Sequence, residues 1–316
     1  MTVFEIQNIL TVMNTSSSSE EIAIFVRVAE TGSFAAAAGE LALTPSGVSK
    51  AVTRLEDRLG VRLMQRTTRR LVLTAEGVTL LARGREILAA IEAAEAEVTI
   101  ARGKPRGLLK VNTGTAYAKH RLAPLLPAFQ MRYPDISFDL SIADRRVDVI
   151  GEQIDVAIRT GGSGDSSLIT RRIGDMRRII CASPTYLARH GAPLVPADLA
   201  KHNCLLISGF ARLAAWPMRI DGRVVNLNVK GTVVCDSAEL LLDMTLAGLG
   251  IARFGDFLAE DALARGLLVP LLVEHHMIEV APISALMPPG RQHLPRVRVF
   301  VDFLAMNGGR GHLPLS

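Results

Sequence analysis

The side chains best equipped for chemistry in this 316-residue chain lie in one run, Thr44-Pro45-Ser46-Gly47-Val48-Ser49-Lys50-Ala51-Val52-Thr53-Arg54-Leu55-Glu56-Asp57-Arg58-Leu59-Gly60. Thr44 offers a hydroxyl to free N–H groups, Pro45 a φ suited to a first turn, and Gly60 a stop, so the run predicts one helix. At about 100° per residue, Ser46, Ser49, Lys50, Thr53, Arg54 and Asp57 share one face, and Val48, Val52, Leu55 and Leu59 the opposite one. One side buries. The other presents hydroxyls, an ammonium and a guanidinium, the groups that contact base edges and phosphates in a DNA groove. On a lone helix such a face would be ordinary solvated surface, so its neighbours decide.

Upstream, Ser18-x-x-Glu21 reads as a capping box opening a helix with a buried stripe of Ile22, Phe25, Val26 and Ala29. Thr31-Gly32 breaks it, and Ser33 caps a short alanine-rich helix from Phe34 to Leu41. Two helices, a tight turn and a polar-faced third make a helix-turn-helix, whose last helix enters the major groove. Downstream, Val61 to Leu73 suits a two-stranded wing that carries Arg62, with Arg66-Thr67-Thr68-Arg69-Arg70 at its tip. Between Leu41 and Ala75 seven basic residues face Glu56 and Asp57, whereas residues 1–103 together hold eleven basic and twelve acidic ones. Positive charge is thus focused where contact is expected, the footprint of phosphate binding.

The elements that must position this module follow from periodicity. From Glu76 to Arg102 there is no proline, and Leu80, Ile87, Ile91, Ala94, Val98 and Ala101 recur at three-four spacing, widened by Leu81 and Leu88 and interrupted by Gly84. A helix packed on its own core and a seam between subunits are both open; the seam is favoured, with Leu80, Ile87, Ile91 and Val98 as its contacts. Gly103-Lys104-Pro105-Arg106-Gly107 then serves as a hinge. Beyond it strand-like runs (108–112, 137–142, 156–159, 179–182, 204–207, 232–235) alternate with helical ones (122–132, 237–247, 296–306), an α/β order. The return of the chain after 278–287 suggests two lobes that exchange chain near residues 180 and 275. Expected domains are 20–77, 78–103 and 104–316.

Several stretches resemble the LysR-type transcriptional regulators. Gly32-Ser33-Phe34-Ala35-Ala36-Ala37-Ala38 is similar to that family's second helix, residues 43–50 to the start of its recognition helix, and residues 55–63 to that helix's continuation. Residues 66–77 resemble its wing and the start of its linker helix. Met64 stands where an aromatic is usual, and Gly47 where glycine is rare. Gly107–Val111, Leu125–Pro134, Asp155–Gly161, Ala182–Leu187, Ala247–Ile251 and Pro295–Leu304 resemble, in order, the effector-binding domain. The resemblance implies a winged helix-turn-helix, a long linker helix and a two-lobed α/β domain like a periplasmic solute-binding protein. It implies double-stranded DNA as partner, a homodimer or homotetramer, and a small effector between the lobes. DNA contacts carried over are Ser33, Thr44, Pro45, Ser46, Ser49, Lys50, Thr53, Arg54, Arg66, Thr67, Arg69 and Arg70. Effector positions carried over are Thr113, Thr115, Arg159, Thr160, Ser208, Asp236 and Ser237; each hydroxyl is equally suited to capping a helix. Arg253, if turned inward, would favour a carboxylate, and otherwise forms a surface salt bridge. At strand ends and helix starts free N–H groups favour an anionic ligand.

Other classes fare worse. Gly161-Gly162-Ser163-Gly164-Asp165 lacks the final glycine of a nucleophile elbow and the Lys-Ser/Thr of a phosphate loop, and reads as a flexible turn. Adjacent His275 and His276 would face opposite sides of a strand, so no metal is expected. Neither a cofactor nor a catalytic constellation is expected. Cys181, Cys204 and Cys235 are isolated in apolar runs and read as small core residues rather than a redox switch. No run reaches the length of a membrane span, and residues 1–19 lack the pattern of a secretory signal, so a cytoplasmic protein is expected, with translation beginning as late as Met13.

Overall fold

Capping chemistry sets the first elements of the computed structural model, which describes residues 18–66, 71–100, 105–145, 147–161, 166–208 and 215–307. Helix α1 covers Ser18–Thr31. Helix α2 (Phe34–Glu40) is capped by Ser33, whose side chain accepts from the Ala36 N–H. Helix α3 (Pro45–Leu59) is capped by Thr44, which accepts from the Gly47 N–H, and ends at Gly60 in the left-handed region, φ 69°. Strands β1 (Met64–Arg66) and β2 (Leu71–Leu73) pair antiparallel, and α4 (Ala75–Ile100) follows. Phe25, Val28, Val48, Val52, Leu55 and Leu63 form one core, on which Leu80, Leu81 and Leu88 of α4 lie.

Contacts divide the chain into two units, Met1–Gly103 with Pro289–Leu294, and Lys104–Pro288 with Pro295–Ser316. In the second, strand β3 (Gly107–Thr113) leads into α5 (Thr115–Tyr117), a π-helical turn (Ala118–Leu122) and α6 (Ala123–Arg132). There follow β4 (Ile136–Ile142), β5 (Val156–Thr160), β6 (Ile169–Ala182), α7 (Pro184–His190), β7 (Cys204–Ile207), β8 (Ala215–Ile220) and β9 (Arg223–Asn228). The remainder is β10 (Val234–Cys235), α8 (Ala238–Leu246), β11 (Ile251–Gly255), α9 (Asp256–Ala264), β12 (Val269–Pro270), β13 (Val280–Met287) and α10 (Pro295–Asn307).

The large sheet has the order β10-β7-β11-β6-β13-β5-β3-β4. Strands β4, β3 and β5 run parallel, as do β10, β7 and β11. Strand β6 belongs to both groups: it pairs with β13 up to Arg177 and with β11 from Arg178. Two lobes therefore meet along one strand, with the chain crossing at 177–178 and again before Val280. The first lobe packs a ring cluster of Phe129, Phe138, Phe300 and Phe303, with centroids 5.2–5.5 Å apart. The second is built around buried Tyr186, Trp216, Met218 and Ile251.

Several expectations need correction. Strand β6 starts ten residues before 179, because its charged first half is held by the ladder to β13 rather than by an apolar pattern. The β8–β9 hairpin and helices α7 and α9 were not expected from the sequence. The buried side of α1 holds Ile24 and Val28 as well as Phe25 and Val26, while Ile22 and Ala29 are half-buried. Leu59 is 42% exposed, because the last turn of α3 runs past the core. The expectations for residues 1–17, 67–70, 162–165 and 103–104 fall outside the described residues.

Candidate nucleic-acid interface and ligand cleft

Burying Val48, Ala51, Val52 and Leu55 turns the opposite side of α3 outward. Ser46, Lys50, Thr53, Arg54 and Asp57 are exposed and Ser49 is half-buried, the arrangement expected from periodicity. Thr44 is committed at the helix start: its Oγ1 accepts from Gly47 N at 3.1 Å and lies 3.2 Å from Ser46 Oγ. A side chain at 47 would place its Cβ 3.1 Å from that same oxygen, a tight contact that glycine avoids. The Thr53 hydroxyl donates back to the Ser49 carbonyl at 3.0 Å. Met64, 8% exposed, fills the core as a flexible apolar chain can.

Two buried carboxylates organise this surface. Glu21, expected in a capping box, is 5% exposed and accepts from Arg54 Nε at 3.1 Å and from Arg58 Nε and Nη2 at 3.4 Å. The Arg54 side chain remains 61% exposed, so its stem is anchored while its end stays available. Glu56, 7% exposed, accepts from Leu63 N at 2.8 Å, Met64 N at 3.2 Å and Arg62 Nη1 at 2.6 Å. Burial alone would raise its pKa, but the Leu63 N–H, Arg62 and the Met64 N–H outweigh burial and hold it below the ordinary 4.5. The strands β1 and β2 bracket the expected wing; Thr67, Arg69, Arg70 and the side chain of Arg66 lie outside the described residues.

Helix α4 is fastened to the same module. Its Gly77 approaches Leu63 so closely that a Cβ would meet the Leu63 carbonyl oxygen, and at Gly84 a Cβ would sit 2.9 Å from Val26 and 3.0 Å from Ile22. Gly84 is thus the crossing point of α1 on α4, not a flaw in a stripe. Arg85 Nε donates to Glu30 at 3.0 Å beside it. The expected seam divides accordingly. Leu80 covers its own module, a correction, whereas Ile87 (43%) and Ile91 (38%) stay exposed; the side chain of Val98 lies outside the described residues.

In the C-terminal domain the C-terminal ends of β3 and β5 in one lobe, and of β7 and β10 in the other, carry the expected effector positions; open parallel sheets bind ligands at such ends. Thr113 is fully buried, its hydroxyl without a hydrogen-bond partner among the described residues. Thr115 caps nothing; its N–H donates to Asp144 Oδ1 at 2.8 Å, so a carboxylate of the protein already faces that helix start. Arg159 donates to buried Asn112 Oδ1 at 2.5 Å, and Thr160 is half-buried. In the other lobe the Ser208 N–H donates to the Cys235 carbonyl at 2.7 Å, Asp236 is exposed, and Ser237 caps α8 by accepting from Leu240 N. Arg253 forms the salt bridge that was one of its two readings, but from a buried position rather than at the surface. It is buried, and donates through Nε to His276 Nε2 and through Nη2 to Glu279, each at 3.0 Å. Its place is in the internal network where the lobes cross.

Sequence reasoning missed the groups that join the lobes. Lys119, His120 and Arg121 of the π-helical turn meet Glu239 of α8 and Glu260 of α9: Lys119 Nζ lies 2.8 Å and His120 Nε2 2.5 Å from Glu239, and Arg121 Nη2 3.1 Å from Glu260. Tyr117 and Arg121 also pack on the Phe257 ring, with centroid distances of 6.3 and 5.7 Å. Three consecutive basic residues were the available signal. His276 is a buried partner of Arg253, and no His/Cys/Asp/Glu cluster suited to a metal occurs among the described residues. Burial raises the Cys181 thiol pKa strongly and that of Cys204 to about 12, which suits core residues. No single described helix is long and apolar enough to cross a membrane.

A capped, polar-faced helix beside a two-stranded wing, and a two-lobed α/β domain later in the chain, define a DNA-binding regulator that answers to a bound small molecule. The model of the bacterial regulatory helix-turn-helix protein, lysR family, matches residues 19–78, and that of the LysR substrate binding domain matches residues 102–308. The chain is 38% identical over 288 residues to the HTH-type transcriptional regulator CrgA of Neisseria meningitidis (strain 8013), covering 91% of this chain and 96% of CrgA. It is 33% identical to the probable HTH-type transcriptional regulator LtrA of Klebsiella pneumoniae, covering 92% and 96%. The solved structure of CrgA, also 38% identical, superposes with a TM-score of 0.62 over 91% of this chain and 97% of that one. This chain belongs to the LysR family of transcriptional regulators: its helix-turn-helix binds DNA and its substrate-type domain binds an effector.

Proposed function

We propose that α3 reads an operator in the major groove through Ser46, Ser49, Lys50, Thr53 and Arg54, with Ser33, Thr44 and Pro45 setting the approach of the helix to the backbone. Arg66, Thr67, Arg69 and Arg70 of the wing contact phosphates beside the minor groove. Residues 20–77 form the DNA-binding domain, 78–103 a dimerisation helix through Ile87, Ile91 and Val98, and 104–316 a regulatory domain without catalytic activity. Its effector is a small anion held near Thr113, Thr115, Arg159, Thr160, Ser208, Asp236 and Ser237, and binding shifts the population of lobe arrangements. The protein acts in the cytoplasm as a homodimer or a dimer of dimers.

The observation that carries the DNA reading is the exposed polar side of α3, on which Arg54 is fixed at its root by Glu21 and open at its end. Replacing Arg54 by Ala is expected to weaken binding to a selected operator by about 1–3 kcal/mol and to relax its sequence preference. Replacing Arg69 by Ala is expected to weaken binding to all sequences alike and to flatten the salt dependence. Mobility-shift titrations at several salt concentrations separate the two. Unchanged affinity and preference in Arg54→Ala would remove that residue from the interface.

A further inference from the structure

Between the side of α3 that bears Ser49 and Thr53 and the first wing strand opens a groove of about 600 Å³, lined also by Phe34, Arg62 and Gln65, with Glu56 among its walls. Across this gap Glu56 links the helix to the wing root: Oε1 takes the Leu63 and Met64 N–H groups and Oε2 takes Arg62. The acceptor is a side chain of the reading helix itself, and the donors immediately precede and begin β1, two residues before the basic tip starts at Arg66. Both N–H groups sit at buried positions, Leu63 and Met64 being 1% and 8% exposed. Apolar packing holds Leu63 in the core but is non-directional; the two hydrogen bonds to Glu56 Oε1 fix where the strand leaves the helix.

We infer that Glu56 is a positioning residue for DNA binding, setting the height and angle of the wing relative to α3 so that both elements meet the duplex in one register. The inference rests on the proposed role of the wing in phosphate contact. Helix and first wing strand then act together, and the phosphates neutralised by the wing depend on a side-chain acceptor that never touches DNA.

The test uses the full chain and a 40-base-pair duplex selected from a random pool by the wild-type protein, with the slope of log affinity against log salt as readout. Glu56→Ala removes the acceptor, and Glu56→Asp withdraws it by one methylene while keeping the charge. Each is expected to lower the magnitude of the slope by about 0.9 for every phosphate that the wing no longer neutralises, with about tenfold weaker binding per phosphate near 0.1 M salt. Glu56→Gln, whose carbonyl oxygen can still take both backbone N–H groups, is expected to restore the wild-type slope. A purely structural role would reduce the active fraction and leave the slope of the folded remainder unchanged. Wild-type slopes in Glu56→Asp and in any folded Glu56→Ala would overturn the inference while leaving the wing on the DNA, provided Arg69→Ala lowers the slope. An unaltered slope in Arg69→Ala and Arg70→Ala would overturn the wing reading and this inference together.

Discussion

At the scale of single residues, the chain places acids where they control arginines, and histidine where it stays neutral. His276 lies behind Arg253, and burial followed by the Arg253 charge lowers its pKa to about 3 from 6.5. The folded protein therefore refuses a proton that the unfolded chain accepts below pH 6.5. Stability from this group is fully present above that pH and declines as pH falls toward 3, by up to about 1.4 kcal/mol per pH unit. Denaturant unfolding between pH 7 and 4 should show this decline in the wild type and its attenuation in His276→Gln, whose amide oxygen still accepts from Arg253; identical pH profiles would contradict the buried neutral imidazole. Glu56 works in the same direction at lower pH, its stabilisation being lost as the carboxylate protonates. Neither partnership was legible in the sequence. Glu21 meets Arg54 across 33 positions and Arg253 meets His276 across 23. Glu56 did leave a trace, a charged residue four positions after Val52 on an otherwise apolar stripe.

At the scale of elements, helix α4 shows how one apolar stripe serves two surfaces. Its first turns lie on the module's own core through Leu80, Leu81 and Leu88, brought close by the absent side chains at Gly77 and Gly84. Ile87 and Ile91 face away and remain 43% and 38% exposed, the apolar strip that the proposed seam would cover. Ile87→Asp is therefore expected to leave the melting temperature of the isolated subunit nearly unchanged, as surface substitutions usually do, yet to dissociate the oligomer. Light scattering decides: a wild type that is monomeric, or a mutant of wild-type mass, would refute the seam. Spacing predicted the helix but could not divide its stripe, because the crossing of α1 is set by contacts some sixty residues apart. The β8–β9 hairpin teaches the converse. Asp221 and Gly222, with φ of 48° and 75°, form the kind of tight turn that favours Asp-Gly, so the local signal was present though unread.

At the scale of the whole molecule, regulation requires the two lobes to hold a defined relation that a ligand can bias. The contact between the π-helical turn and helices α8 and α9 supplies one, with Glu239 at its centre, 10% exposed and flanked by Lys119 and His120. Lys119 is 62% exposed and contributes little by itself, since solvent screens such pairs. Glu239→Ala is expected to cost about 1 kcal/mol in global stability after that discount, and to speed amide exchange selectively in 115–122 and 238–246. Uniform exchange across the domain would show that the lobes are held elsewhere.

The sequence by itself determined the local grammar of this protein: the caps at Ser33 and Thr44, the stop at Gly60, the polar face of α3, the focused charge and the alternation of strands and helices. Each depends on neighbours within a few turns, where backbone geometry and periodicity act directly. Tertiary structure alone decided which acids hold Arg54, Arg62 and Arg253, which part of α4 stays open, and that the Thr113 hydroxyl is buried without a partner among the described residues. Those outcomes depend on how distant elements cross, and burial then fixes charge and hydrogen bonding in ways that no spacing along the chain encodes.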